Sequence, residues 1–163
     1  MIETGTTVGV SNAASGAALR SLVVRAANRT CALNLDHVIE IMRPLPVEHV
    51  AGAPEAVLGL SVIRGTPIPV VALAALFDTG GGSPTRFVIV RAAGNQVALA
   101  VDAVLGIREF TPAAYHAMPR LLRDARVQAV EEIGALDSEL LFVLDAGNLL
   151  PEALLESLAG QEH

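Results

Sequence analysis

The sequence predicts a mainly β protein made of two small closed barrels packed together, and three features of the chain point to it. Residues 20–41 recur at 86–107 with a constant offset of 66. Ten of the 22 aligned positions are identical, among them Arg20/Arg86, Val24/Val90, Ala32/Ala98, Asp36/Asp102, Val38/Val104 and Ile41/Ile107. A later stretch, Ser61–Phe77, parallels Gly134–Leu150 at an offset of 73, so the chain is an internal duplication. Within each copy, short β-branched runs bounded by turn residues follow one another at regular spacing, the pattern of small all-β architectures. A unit of about sixty residues buries too little surface to be stable alone, and two packed side by side share that burden.

In chain order, residues 1–18 are rich in Gly, Ser, Thr and Ala and read as a flexible tail. Leu22-Val-Val-Arg-Ala and Val88-Ile-Val-Arg-Ala are strands. The turns that follow them, Asn28-Arg29 and Gly94-Asn95, lead straight into further apolar runs and so mark hairpins. Val38-Ile-Glu-Ile41 continues the first unit. Ile68-Pro-Val-Val is a strand whose prolines, Pro67 and Pro69, cannot donate to a ladder, which puts it at an edge or a strand start. Leu140-Leu-Phe-Val-Leu is its counterpart without prolines. Thr111-Pro112 begins a short helix, with Thr as cap and Pro at the first helical position. Pro151–Leu158 forms a C-terminal helix with Leu150, Leu154, Leu155 and Leu158 on one face. The resulting division is a first barrel over about 19–79, a glycine-rich connector at 78–85, and a second barrel with the C-terminal helix over about 86–160.

Composition narrows the function. Apolar types are 52% of the chain and charged types 17%, with a mean hydropathy of +0.52. A membrane span needs about 18 consecutive apolar residues, and no run of that length occurs. No basic start followed by an apolar core opens the chain, so a cytoplasmic protein is expected. The net charge of −6 and an aromatic content of 3% argue against nucleic acid, which needs cations for phosphate and rings for bases. All eleven basic residues are arginine. The local cluster Arg120, Arg123 and Arg126 reads as a solvated face.

A search for catalytic chemistry returns nothing. The four histidines, His37, His49, His116 and His163, have no metal-ligand spacing. Cys31 is the single cysteine; it excludes an internal disulfide and sits in a strand without a neighbouring base, as an inert thiol does. There is no nucleophile elbow, no P-loop and no dinucleotide fingerprint. Asp36 and Asp102 occupy equivalent repeat positions and read as twin turn or cap residues, because an acid–base pair would need two different environments. No cofactor and no metal are expected. What stands out is Arg64 in the apolar run 57–71, flanked by Gly59 and Gly65. Two readings follow: a bidentate bridge to Glu40 that fixes the turn and presents a surface, or a turn arginine in solvent.

These residues resemble the CheW-like domain of bacterial chemotaxis. The resemblance runs through Val38-Ile-Glu-Ile41, Gly52-Ala-Pro54, Leu58-Gly59, Ile63-Arg-Gly65, Pro69-Val-Val-Ala-Leu73, Val97–Val104 and Gly134-Ala-Leu-Asp137, over roughly residues 19–150. It implies two SH3-like five-stranded β-barrels and a non-enzymatic adaptor. The implied partners are the regulatory domain of a CheA-type histidine kinase and the cytoplasmic tip of a methyl-accepting chemoreceptor. Val38, Glu40, Gly59, Arg64, Gly65, Phe87, Ala98, Val104 and Ile107 fall at the matching partner-binding positions. Three residues depart from the family pattern, Val62 for an Asn, Ala72 for an Asp and Ala98 for a Gly; the first two losses remove turn hydrogen bonds around Arg64. Other readings are a related scaffold with a changed partner, in a pilus or developmental chemosensory system, and a small-molecule-binding double barrel using the groove between the two units.

Overall fold

The structure, a computed structural model, describes residues 19–53, 56–77, 84–92, 94–110, 116–117, 130–136 and 139–144. The first copy supplies β1 (Leu19–Ala26), β2 (Arg29–Asn34), a 3₁₀ turn (Leu35–His37), β3 (Val38–Met42), β4 (Val57–Ile63), β5 (Thr66–Ala72) and the single-turn helix α1 (Leu73–Leu76). The second supplies β6 (Arg86–Ala92), β7 (Asn95–Val101), β8 (Ala103–Phe110), β9 (His116–Ala117), β10 (Val130–Leu136) and β11 (Glu139–Leu144). The duplication carries through to the elements. An offset of 66 maps β1, β2 and β3 onto β6, β7 and β8, and an offset of 73 maps β4 and β5 onto β10 and β11.

The strands form a six-stranded sheet, β8-β1-β2-β11-β10-β9, and a five-stranded sheet, β3-β6-β7-β5-β4. The two orders are the same under the repeat mapping, apart from the two-residue β9. Neither sheet follows the division of the chain into 19–79 and 86–160. Each copy instead lends its first hairpin to the other copy's strands, so β1 and β2 sit with β8, β10 and β11, while β6 and β7 sit with β3, β4 and β5. The two copies have near-identical apolar patterns, so pattern alone cannot say which hairpin a strand joins. Among the described residues neither ladder closes on itself, so the expected closure into barrels is not observed in the hydrogen bonding. The tail at 1–18, most of the connector, the Thr111-Pro112 helix, the arginine cluster and the C-terminal helix lie outside the described residues.

Each sheet is apolar on both faces, which is why its strands read as nearly continuous hydrophobic runs. In β6, Val88 and Val90 point into a core shared by the two sheets, whereas Phe87 and Ile89 point to the opposite face. In β7, Leu99 and Val101 join the shared core and Ala98 and Ala100 the other. In β1, Leu22 and Val24 face the shared core while Val23 packs with Ala32 and Leu141 behind the six-stranded sheet. Apolar packing on both faces of each sheet, seen in three clusters among the described residues, goes with the oily composition. Burial of each such Val or Leu contributes about 1.5–3 kcal/mol.

Both hairpin turns sit one residue earlier than the sequence suggested. Ala26 pairs with Arg29 and Ala92 with Asn95, so the first loop is Ala27-Asn28 and the second ends at Gly94. Asn28 and Gly94 are the turn residues, and Arg29 and Asn95 already belong to strands. Ala27 takes a positive φ of 56°, and its N–H donates to the Asp102 carboxylate at 2.8 Å. Asp102 stands where the chain passes from β7 to β8, that is, from one sheet to the other. Its own N–H donates to the Arg25 carbonyl at 2.8 Å, so it pins the crossing to the β1–β2 turn. Asp36 does not share that role; it is exposed in the 3₁₀ turn, and its N–H donates to Asn34 Oδ1 at 2.9 Å. Strand β5 is interior, between β7 and β4, and not at an edge. Its prolines are tolerated because the parallel pairing with β7 begins only at Val70, beyond Pro67 and Pro69.

Candidate partner-binding site

The site is built from the two edges of the five-stranded sheet, β3 and β4. The β4–β5 connection is a two-residue hairpin loop, with Ile63 opposite Thr66. Its central residues are Arg64 at φ 52° and Gly65 at φ 80°, the pair of positive values a type I′ turn requires. Glycine accepts this freely at Gly65. At Arg64 the left-handed conformation costs about 1–2 kcal/mol for a residue with a Cβ, so the arginine is held there by something else.

That something is Glu40 on β3. Arg64 Nε donates to Glu40 Oε2 at 2.9 Å and Arg64 Nη2 to Oε1 at 2.6 Å, the parallel fork that guanidinium and carboxylate geometry favours. The bridge spans the sheet's two opposite edges, so the sheet curls until a side chain links strands that the ladder leaves apart. Of the two sequence readings of Arg64, the bidentate bridge is the one observed. Arg64 is 75% exposed and Glu40 26%, so water screens the pair and its worth lies in geometry more than in stability. The hydrogen bonds from Arg64, followed by its charge, hold the Glu40 carboxyl below the ordinary glutamate range, and the same hydrogen bonds raise Arg64. The turn keeps its geometry although Val62 and Ala72 supply none of the family's polar side chains.

Gly59 belongs to the support of this turn. It is buried at a register shift in β4, with φ +146°. A Cβ there would lie 2.0 Å from the Glu48 carbonyl oxygen. The segment carrying Glu48 straps β4 on its outer side: Glu48 N donates to the Leu60 carbonyl at 2.8 Å and Leu60 N to the Glu48 carbonyl at 2.9 Å. Ser61 Oγ donates to the Pro46 carbonyl at 2.9 Å, and Leu45 and Val47 pack over Ile63, Phe87 and Ile89.

The remaining expected positions divide by burial. Val38 and Val104 are half-buried, packed on the shared core. Ile107 is exposed on β8. Phe87 is 2% exposed and Ala98 fully buried, so both are core residues beneath the strap and offer no surface to a partner. The structure adds Ile39 and Ile41 on β3 and Leu105 on β8, all exposed. These are repeat equivalents: 39 and 41 map onto 105 and 107. β3 and β8 are the matching edge strands of the two sheets. The signal was present in the repeat alignment, but strands apolar on both faces do not reveal which face is outside. Val62, beside the Arg64 turn, is 64% exposed.

No group of three metal-ligating side chains occurs among the described residues. Burial pushes the Cys31 thiol up to about 12 despite the nearby Arg29 charge, so it is no nucleophile at neutral pH. Side chains from both sheets fill the space between them, where a small-molecule groove was one expectation.

The CheW-like domain model matches residues 20–154. The chain belongs to the CheW-like domain family. This CheW-like chain is also similar to the scaffolding protein TtCheW from Thermoanaerobacter tengcongensis, whose crystal structure it matches with a TM-score of 0.72 at 24% identity. That match covers 81% of this chain and 92% of the other. Comparison with curated protein sequences finds no match. The fold is therefore CheW-like and mainly β, and the family is a non-enzymatic scaffold in chemotaxis signalling. No helix among the described residues is long and apolar enough to cross a membrane.

Proposed function

We propose that this CheW-like chain is a cytoplasmic adaptor that couples the tip of a methyl-accepting chemoreceptor to the regulatory domain of a CheA-type histidine kinase. The observation that carries the reading is the Arg64–Glu40 bridge. A non-glycine residue is kept at positive φ to tie two edge strands together beside exposed Ile39 and Ile41, and strain of this kind collects at functional surfaces. In this reading Val38, Glu40, Arg64 and Gly65 shape one contact. Val104 and Ile107, on the equivalent strand of the other sheet, shape a second. Two matching edge strands on one chain suit a protein that must hold two partners at once. Exposed apolar rows on a small domain are surfaces for protein partners. Gly59, Phe87 and Ala98 act from within, by holding the strap and the strands that carry the surface.

Arg64→Asn tests this. Asparagine tolerates the left-handed turn and removes the bridge, so the backbone is preserved. Binding to the receptor tip from the same genome is expected to fall by about tenfold, the loss of one charge-assisted pair, while binding to the kinase domain holds. Unchanged receptor binding, or no binding of the parent chain to either partner at tens of micromolar, would sink the proposal. A changed partner within a related chemosensory system is favoured by one observation, the exposed Val62 where the family pattern has a polar residue. Val62→Asn is then expected to improve binding to an ordinary receptor tip and weaken binding to the chain's own.

A further inference from the structure

We infer that the six-stranded sheet carries a separate recognition pocket for a carboxylate flanked by an apolar side chain, as presented by an acidic segment of a partner protein. A cavity of about 400 Å³ is lined by Arg25, Asn28, Arg29, Leu140 and Phe142. It lies at the β1–β2 hairpin and the start of β11, on the sheet that does not carry Arg64. Its size falls within the ordinary range for ligand pockets.

Arg29 is the central observation. Its guanidinium lies over the Phe142 ring, 5.4 Å from the centroid. Phe142 is in turn fixed against Phe77, with centroids 5.3 Å apart at 60°. The cation is thus held in place before any ligand arrives, so little side-chain freedom remains to be lost on binding. Its Nε is buried and has no hydrogen-bond partner among the described residues. A desolvated N–H on a permanent cation without an acceptor is rare in folded proteins, and stacking on a ring does not replace an acceptor. Arg29 also lines the cavity, so a ligand there meets its guanidinium.

A carboxylate fits a planar guanidinium through two parallel hydrogen bonds, and Asn28 adds a polar group at the rim. Leu140, 58% exposed, and Phe142 form an apolar wall that a bare inorganic anion would leave unused. A peptide carboxylate beside an aliphatic side chain uses both. The chain carries a net charge of −6, so the stacked Arg29 at this cavity runs against its overall sign and attracts an acidic partner locally. The repeat equivalent of Arg29 is Asn95, which makes the pocket a property of one sheet only.

The test is titration of the full ¹⁵N-labelled chain with acetyl-Glu-Leu-amide and with acetyl-Gln-Leu-amide. The Glu peptide is expected to give a saturable shift of the Arg29 Nε–H and Asn28 backbone resonances, with the Gln peptide binding at least about fivefold more weakly. Arg29→Lys keeps the charge and loses the planar fork, so it should weaken the Glu peptide by a similar factor with the rest of the spectrum unchanged. Equal affinity for the two peptides, no saturable shift up to tens of millimolar, or undiminished binding by the folded R29K chain would overturn the inference. So would the same shifts on raising protein concentration alone, which would make the occupant a second copy. The peptides report on this pocket whether or not receptor and kinase bind elsewhere.

Discussion

Gly59→Ala should destabilise the chain by about 3–4 kcal/mol, and the figure follows from two separable costs. An alanine at φ +146° is in a conformation L-residues avoid, at about 1–2 kcal/mol. Its Cβ would also lie 2.0 Å from the Glu48 carbonyl oxygen and 2.7 Å from the carbonyl carbon. Backbone cannot swing aside as a flexible side chain does, so the strap must lift. Lifting it breaks the two Glu48–Leu60 hydrogen bonds, worth about 1 kcal/mol each. For a chain of this size the sum corresponds to a fall in melting temperature of roughly 6–15 °C, measured by circular dichroism and checked by urea unfolding. Gly65→Ala is the matched control. Gly65 has φ +80° and nothing within 4 Å of a built Cβ, so only the conformational cost applies, about 1 kcal/mol or 2–4 °C. A Gly59→Ala chain melting within about 2 °C of the parent, or equal losses at the two sites, would refute the steric argument. The same comparison separates a binding defect at Gly59 from a folding defect.

Glu40, titrated by carboxyl NMR, is expected to ionise below the ordinary glutamate range and to move up towards it in Arg64→Asn. Its folded value is depressed, so whatever the bridge contributes is present above the unfolded pKa and is lost as pH falls through the folded one. Ala72→Asp restores the side chain the family has there. Ala72 is the N-cap of helix α1, with extended backbone and no side-chain cap, so an N-cap aspartate should add about 1 kcal/mol and raise the melting temperature by about 2–4 °C. Cys31, with its thiol pushed up to about 12, should resist Ellman's reagent in the folded chain at pH 8 and react on unfolding. The unfolded thiol ionises first on raising pH, so stability should fall between the unfolded value and about 12, and Cys31→Ala should remove that part of the alkaline loss.

Much of the architecture was legible because duplication writes the same physics twice. The runs paired by the offsets of 66 and 73 located β1, β2, β5, β6, β7 and β11 but not β4, β8 or β10, and the Val38–Ile41 and Arg64-Gly65 segments stood out by residue type. An arginine among apolar residues needs a partner, and the one acidic residue in a nearby strand was Glu40. The glycines at 59 and 65 were equally visible, though not their different reasons: one avoids a carbonyl, the other takes a turn conformation. Phe87 and Ala98 were placed among the partner positions by resemblance and are buried; both faces of their strands are apolar, and alternation then carries no information about which face meets solvent. Ile39, Ile41 and Leu105 were overlooked for the same reason. The pocket at Arg29 was out of reach, since Arg29 and Phe142 stand on strands from opposite halves of the chain.

The sequence alone determined a duplicated, apolar, mainly β chain. Those properties are sums over residues and local patterns, and they do not depend on which strand lies beside which. Only the tertiary structure decided that the copies exchange their first hairpins, because two near-identical hairpins offer each strand the same local pairing and only packing of both sheets on one shared core breaks the tie. It also decided that Arg64 and Glu40, 24 residues apart, meet across opposite edges of a sheet. Curvature brings those edges together, and curvature is a property of the assembled strands.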